Sequence, residues 1–165
     1  MLLILENIFR FVILVLLQVL LLNNIQFLGY INPYLYVLFI IALPVQTPRW
    51  FTLILAFMLG LTIDTFSNTL GMHAFATVLI AFLRNGIIKL FATIDEGNSP
   101  TPSFHAFGVG AYIKYVIAMV FIHHSALFFL EAFTLVSFWV VLGKLLLSAI
   151  VTILLITSIQ SLKKA

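Results

Sequence analysis

Gly60-Leu-Thr-Ile-Asp64-Thr-Phe-Ser67-Asn68-Thr-Leu-Gly71-Met-His73-Ala74 puts an ionisable carboxylate and a polar turn between two long apolar runs. A carboxylate near mid-membrane costs about 2.5 to 3.5 kcal/mol on insertion scales, so it normally faces a bundle interior where a partner offsets the cost. Two readings of Asp64 follow. Either it is a buried member of a polar contact, or it sits near the water interface and caps its helix through the Ser67-Asn68 turn.

The runs on either side decide the solvent. Of 165 residues, 64 % are hydrophobic and 8 % charged, with a mean hydropathy of +1.25, which leaves too little polar surface to cover a soluble globule. The expected fold is an all-α integral membrane protein, one transmembrane domain forming a compact bundle of about six helices. At 1.5 Å per residue a 30 Å hydrocarbon core takes about 20 residues per span. Expected spans are 8–28, 33–48, 50–66, 71–91, 107–129 and 134–160. The second is short and framed by Pro33, Pro44 and Pro48, so a five-span reading, with residues 33 to 66 as one broken hairpin dipping into the bilayer, competes with six. The first apolar run leads into Asn23-Asn24 rather than a small-residue cleavage site and reads as a retained span. Asp95 to Pro102 is the main polar loop.

The net charge of +3 comes from scattered cations that form no nucleic-acid patch. Under six spans Arg10, Arg49, Arg84, Lys89, Lys114, Lys163 and Lys164 fall toward one face. The positive-inside rule makes that face, with both termini, cytoplasmic. The chain has no Cys, which removes disulfides, thiol catalysis and Cys-ligated metals.

Asp64 lies about 14 residues into its span, roughly 21 Å from the cytoplasmic surface, and Lys144 about ten residues into the last span, roughly 15 Å from the outer surface. A buried Asp64 and Lys144 pair is the favoured contact; the alternative is that Lys144 snorkels or faces a wet crevice. His73, nine residues from Asp64, invites a proton relay, weakly supported without a second acid or base. His123 and His124 point about 100° apart on a helix and read, with Glu131, as outer-surface polar residues rather than metal ligands. Ala56 and Gly60, then Gly71 and Ala74, are small enough to let helix backbones approach closely. No phosphate cradle, nucleophile elbow or zinc helix occurs, so neither an enzyme nor a cofactor is expected.

Six short spans, the Pro-framed second span, Asn23-Asn24-Ile-Gln26-Phe27-Leu28-Gly29-Tyr30-Ile31-Asn32-Pro33-Tyr34, and above all Gly60-x3-Asp64-x2-Ser67-x3-Gly71-x-His73-Ala74 together resemble the bacterial rod shape-determining MreD family. The resemblance implies a non-enzymatic inner-membrane subunit of the cell-elongation complex. It would scaffold peptidoglycan synthesis beside MreC, with MreB, RodA and a penicillin-binding transpeptidase in the same assembly. That family is also similar in fold to the substrate-binding subunits of energy-coupling factor transporters, whose vitamin-type binding is the rival function. Those subunits commonly carry Ala-x-x-x-Ala in the first span; here Phe11 to Leu22 holds no small residue.

Overall fold

The structure, a computed structural model, describes residues 2–25, 31–93, 101–132 and 138–162. The loop expected at residues 95–100, residues 26–30 of the motif after the first span, Thr134, Lys163 and Lys164 lie outside these. Helix α1 (Leu2–Leu16) continues as a π-helical turn, Leu17–Leu22. A 3-10 turn (Leu35–Val37) leads into the short α2 (Leu38–Ile41). Then follow α3 (Arg49–Ser67), α4 (Met72–Phe91), the one-turn α5 (Phe104–Phe107), α6 (Val109–Glu131) and α7 (Phe138–Leu162).

Among the described residues five helices are long and apolar enough to cross a membrane: the first, then α3, α4, α6 and α7. The chain is an all-helical bundle of multi-pass membrane character. Four expected spans match α3, α4, α6 and α7 to within a few residues. The first needs correction, because its helix begins at Leu2 and stops at Leu22, where Asn23 and Asn24 turn. The second needs a larger one. Residues 33–48 form no helix of membrane length; helical geometry is confined to Leu35–Ile41.

Side-chain bonds nevertheless trace the path of this segment. Gln18, late in the first helix, bonds the backbone of Pro33 and Leu35, whereas Arg10, two turns earlier, bonds that of Ala42. The segment therefore runs antiparallel to α1. The first helix and α3 run parallel, since Asn23 Nδ2 donates to Ser67 Oγ at 3.0 Å at one end and Asn7 and Phe51 border one groove at the other. The chain returns from the Asn23 end of the bundle to the Arg10 end by a broken crossing, which lies at the centre with Pro33 to Leu43 all buried. Around it α3 packs on α4, α4 on α6 and α6 on α7. The Lys144–Glu131 and Thr152–His124 proximities make α7 antiparallel to α6. Leu2 and Leu162 consequently lie at the same end, called proximal below.

Non-helical backbone at membrane depth is tolerated only where protein surrounds it and its polar groups find partners. Here the partners are side chains from four helices. The Asn32 amide donates to Ser148 Oγ (3.1 Å) and the Tyr34 amide to Thr152 Oγ1 (3.0 Å). The Gln18 amide group donates to the Pro33 carbonyl (3.0 Å) and accepts from the Leu35 amide (2.9 Å). At the end of α2, the carbonyls of Ile41, Ala42 and Leu43 accept from Tyr115 Oη (3.2 Å), Arg10 Nη1 (3.0 Å) and Arg84 Nη2. Two of those donors are guanidinium groups, which also complement the negative end of a helix dipole.

Candidate functional site

Asp64 is buried, and its side-chain hydrogen bonds lie within the α3–α4 turn. Its Oδ1 accepts from the Thr69 hydroxyl (2.5 Å) and the His73 amide (3.0 Å), and its Oδ2 from the Ala74 amide (2.9 Å). Gly71, at φ +82°, is the residue before α4, so His73 and Ala74 are the second and third helical positions, whose amides have no partner within the helix. Asp64 caps α4 from the preceding helix, with a negative charge where the dipole favours one. Its own carbonyl meanwhile accepts from the Thr69 amide at 3.0 Å while Asn68 stands left-handed at φ 55°, the Schellman ending of α3. One residue closes one helix and opens the next. The two sequence readings thus combine, since the cap is buried.

Small residues do hold this turn shut. A methyl group on Gly60 would come within 2.4 Å of Ala74 Cα and of Thr77 Oγ1, and Thr77 Oγ1 donates to the Ala56 carbonyl at 2.8 Å. Ala56, Gly60 and Ala74 therefore form the seam of α3 on α4. Gly71 belongs to it differently: nothing lies within 4 Å of its side-chain position, and its contribution is the positive φ.

Asp64 has its turn donors whether or not the expected Lys144 contact forms. Lys144 lies in the α6–α7 hairpin within electrostatic range of Glu131. Depth alone suggested the pair, but α4 begins next to Asp64 and its amides occupy both carboxylate oxygens. His73 hydrogen-bonds Asp64 through its backbone amide. Its ring turns inward, where the Tyr36 hydroxyl lies 2.7 Å from His73 Nδ1 and 2.9 Å from His123 Nε2.

His123 and His124, expected on the outer surface, are fully buried. His124 Nδ1 donates to the Val120 carbonyl (2.9 Å), and Nε2 lies 3.2 Å from Thr152 Oγ1. The Tyr34 ring stands among them edge-on, its centroid 5.3 Å from that of His124, 5.5 Å from His73 and 6.0 Å from Phe128. The cluster is therefore packed with rings, and among the described residues no group of three metal-ligating side chains is placed to hold an ion. His123 Nδ1 has no partner. A buried orphan acceptor is less costly than an orphan N–H, so His123 carries its proton on Nε2, donates to Tyr36, and Tyr36 donates to His73.

Sequence reasoning did not find Gln18, Tyr36, Thr77, Arg84, Ser148 or Thr152 as buried polar residues. The available signal was a set of single polar residues inside apolar runs, each a candidate for an inward face. Comparison with protein-family models, with curated proteins and with solved structures finds no match.

Proposed function

We propose that the chain is a non-enzymatic scaffold of the MreD type, an inner-membrane subunit of the bacterial cell-elongation complex that binds MreC and acts with MreB, RodA and a penicillin-binding transpeptidase in peptidoglycan synthesis. The observation that carries the reading is the use of the polar core. Gln18, Ser148, Thr152, Tyr115, Arg10 and Arg84 bond the backbone of the broken crossing, Asp64 bonds the start of α4, and Tyr34 fills the space between the histidines. A carrier keeps polar groups facing a ligand; here they are spent on the fold. The stretch that carries the resemblance, Gly60 to Ala74, is also the most tightly built joint of the bundle, as a shape-bearing element should be.

Arg10, Arg49, Arg84, Lys89 and Lys114 lie toward the proximal end, which supports a cytoplasmic assignment of that end and of both termini. Depletion in a rod-shaped host should give round cells with mislocalised wall insertion, and MreC should co-purify in detergent. Normal rods with a new vitamin requirement would favour the energy-coupling factor reading instead.

A further inference from the structure

Among the described residues the proximal end carries more cations than acids. Among the described residues Glu6 is the acid there, against Arg10, Arg49, Arg84, Lys89 and Lys114. Arg84 is the extreme case, fully buried, with Nη2 on the Leu43 carbonyl and the neutral Tyr115 hydroxyl beside it, while Nε and Nη1 make no hydrogen bond of good geometry and no described carboxylate is among its partners; the buried hydroxyl of Tyr112 makes none either. An uncompensated buried guanidinium is costly, and an anion nearby lowers that cost.

A cavity of about 260 Å³ opens along the following stretch of α4, lined by Val45, Asn85, Ile88, Lys89 and Ala92. Val45 is two residues beyond the carbonyl that Arg84 holds, Asn85 is its chain neighbour, and Ile88 lies one turn on. Lys89 and Asn85 share a helix face and are both exposed. The depth of the cavity is also marked. Trp50 is exposed at the start of α3, as an interfacial aromatic would be, and the Arg49 guanidinium lies 4.2 Å over the Phe82 ring. Phe82 thus stands near headgroup level, with the cavity about one to three turns further toward the proximal surface. Basic pockets of this kind between spans bind anionic headgroups.

We propose that this cavity is a binding site for the phosphate of an anionic phospholipid, with Lys89 and Asn85 as donors and Arg84 supplying positive charge behind the wall. Membrane embedding alone is required, so the site stands or falls separately from the scaffold reading. The purified full chain should be titrated, by thermal stabilisation in a neutral detergent, with phosphatidylglycerol, with zwitterionic phosphatidylcholine and with inorganic phosphate. Phosphatidylglycerol should stabilise at concentrations where phosphatidylcholine does not. Lys89→Gln should weaken its apparent affinity about fivefold, the worth of one Lys near an anionic surface, whereas Lys114→Gln, outside the cavity, should not. Equal weakening by both variants, or equal stabilisation by the two lipids, would overturn the site. Full stabilisation by inorganic phosphate with no lipid preference would overturn its assignment to a lipid.

Discussion

In an Asp64→Ala variant the amides of His73 and Ala74 and the Thr69 hydroxyl lose one charged acceptor together. Bonds to a charged group contribute about 1.5 to 3 kcal/mol, and buried amides left unpaired cost a similar amount, so the loss should be at least about 3 kcal/mol. Asp64→Asn keeps one acceptor oxygen but turns its NH2 toward donors, and it should fall between Ala and the parent. Thermal unfolding in detergent ranks the three; parity of Asn with the parent would contradict the cap. A second residue separates close approach from conformational freedom. Gly60→Ala drives a methyl group into Ala74 and should cost about 1 to 3 kcal/mol, whereas Gly86→Ala meets nothing within 4 Å and should cost nothing or gain up to about 1 kcal/mol from helix propensity. At this scale the sequence was informative where a partner lies close along the chain. Asp64, Gly60 and Ala74 belong to one turn, and their spacing alone singled them out. Arg84, His123 and Gln18 answer to backbone groups 41 residues away, to a hydroxyl 87 away and to a carbonyl 15 away, and no local pattern announces such partners.

The broken crossing is the element whose behaviour depends most on its neighbours. Its 3-10 turn and the four-residue α2 are far below the length at which an isolated helix is stable, so its order comes from burial and from side-chain bonds. Gln18→Leu should therefore cost more than its volume suggests, about 2 to 4 kcal/mol, by leaving the Leu35 amide and Pro33 carbonyl unpaired in an apolar surrounding. Ser148→Ala orphans a single amide, that of Asn32, and should cost about 1 to 2 kcal/mol. If Gln18→Leu unfolds at the parent temperature, these bonds do not hold the segment. The prolines foretold an interrupted span but not its form. Pro33, Pro44 and Pro48 exclude a regular helix, yet whether the remainder dips and returns or passes through is set by which helices flank it. Four of the five long helices, by contrast, match the expected bounds to within a few residues because apolar length alone defines them, whereas the first starts and stops about six residues earlier than expected.

Over the whole molecule, five long helices and one irregular segment place both ends of the described chain together, with five of the six described Lys and Arg residues toward that end and the Asp64 turn at the opposite one. This arrangement depends on residues 31–48 passing through the bundle rather than turning back within it. A passing segment explains why, along the first helix, its polar groups meet Gln18 before Arg10. A re-entrant one would return Gln46 to the side of Asn24. The absence of cysteine makes the distinction directly measurable. Asn24→Cys and Gln46→Cys, both at exposed positions, should react with a membrane-impermeant thiol reagent from opposite sides of oriented vesicles, with Leu70→Cys, at the tip of the Asp64 turn, labelling from the Asn24 side. Labelling of Asn24→Cys and Gln46→Cys from the same side would contradict the broken crossing.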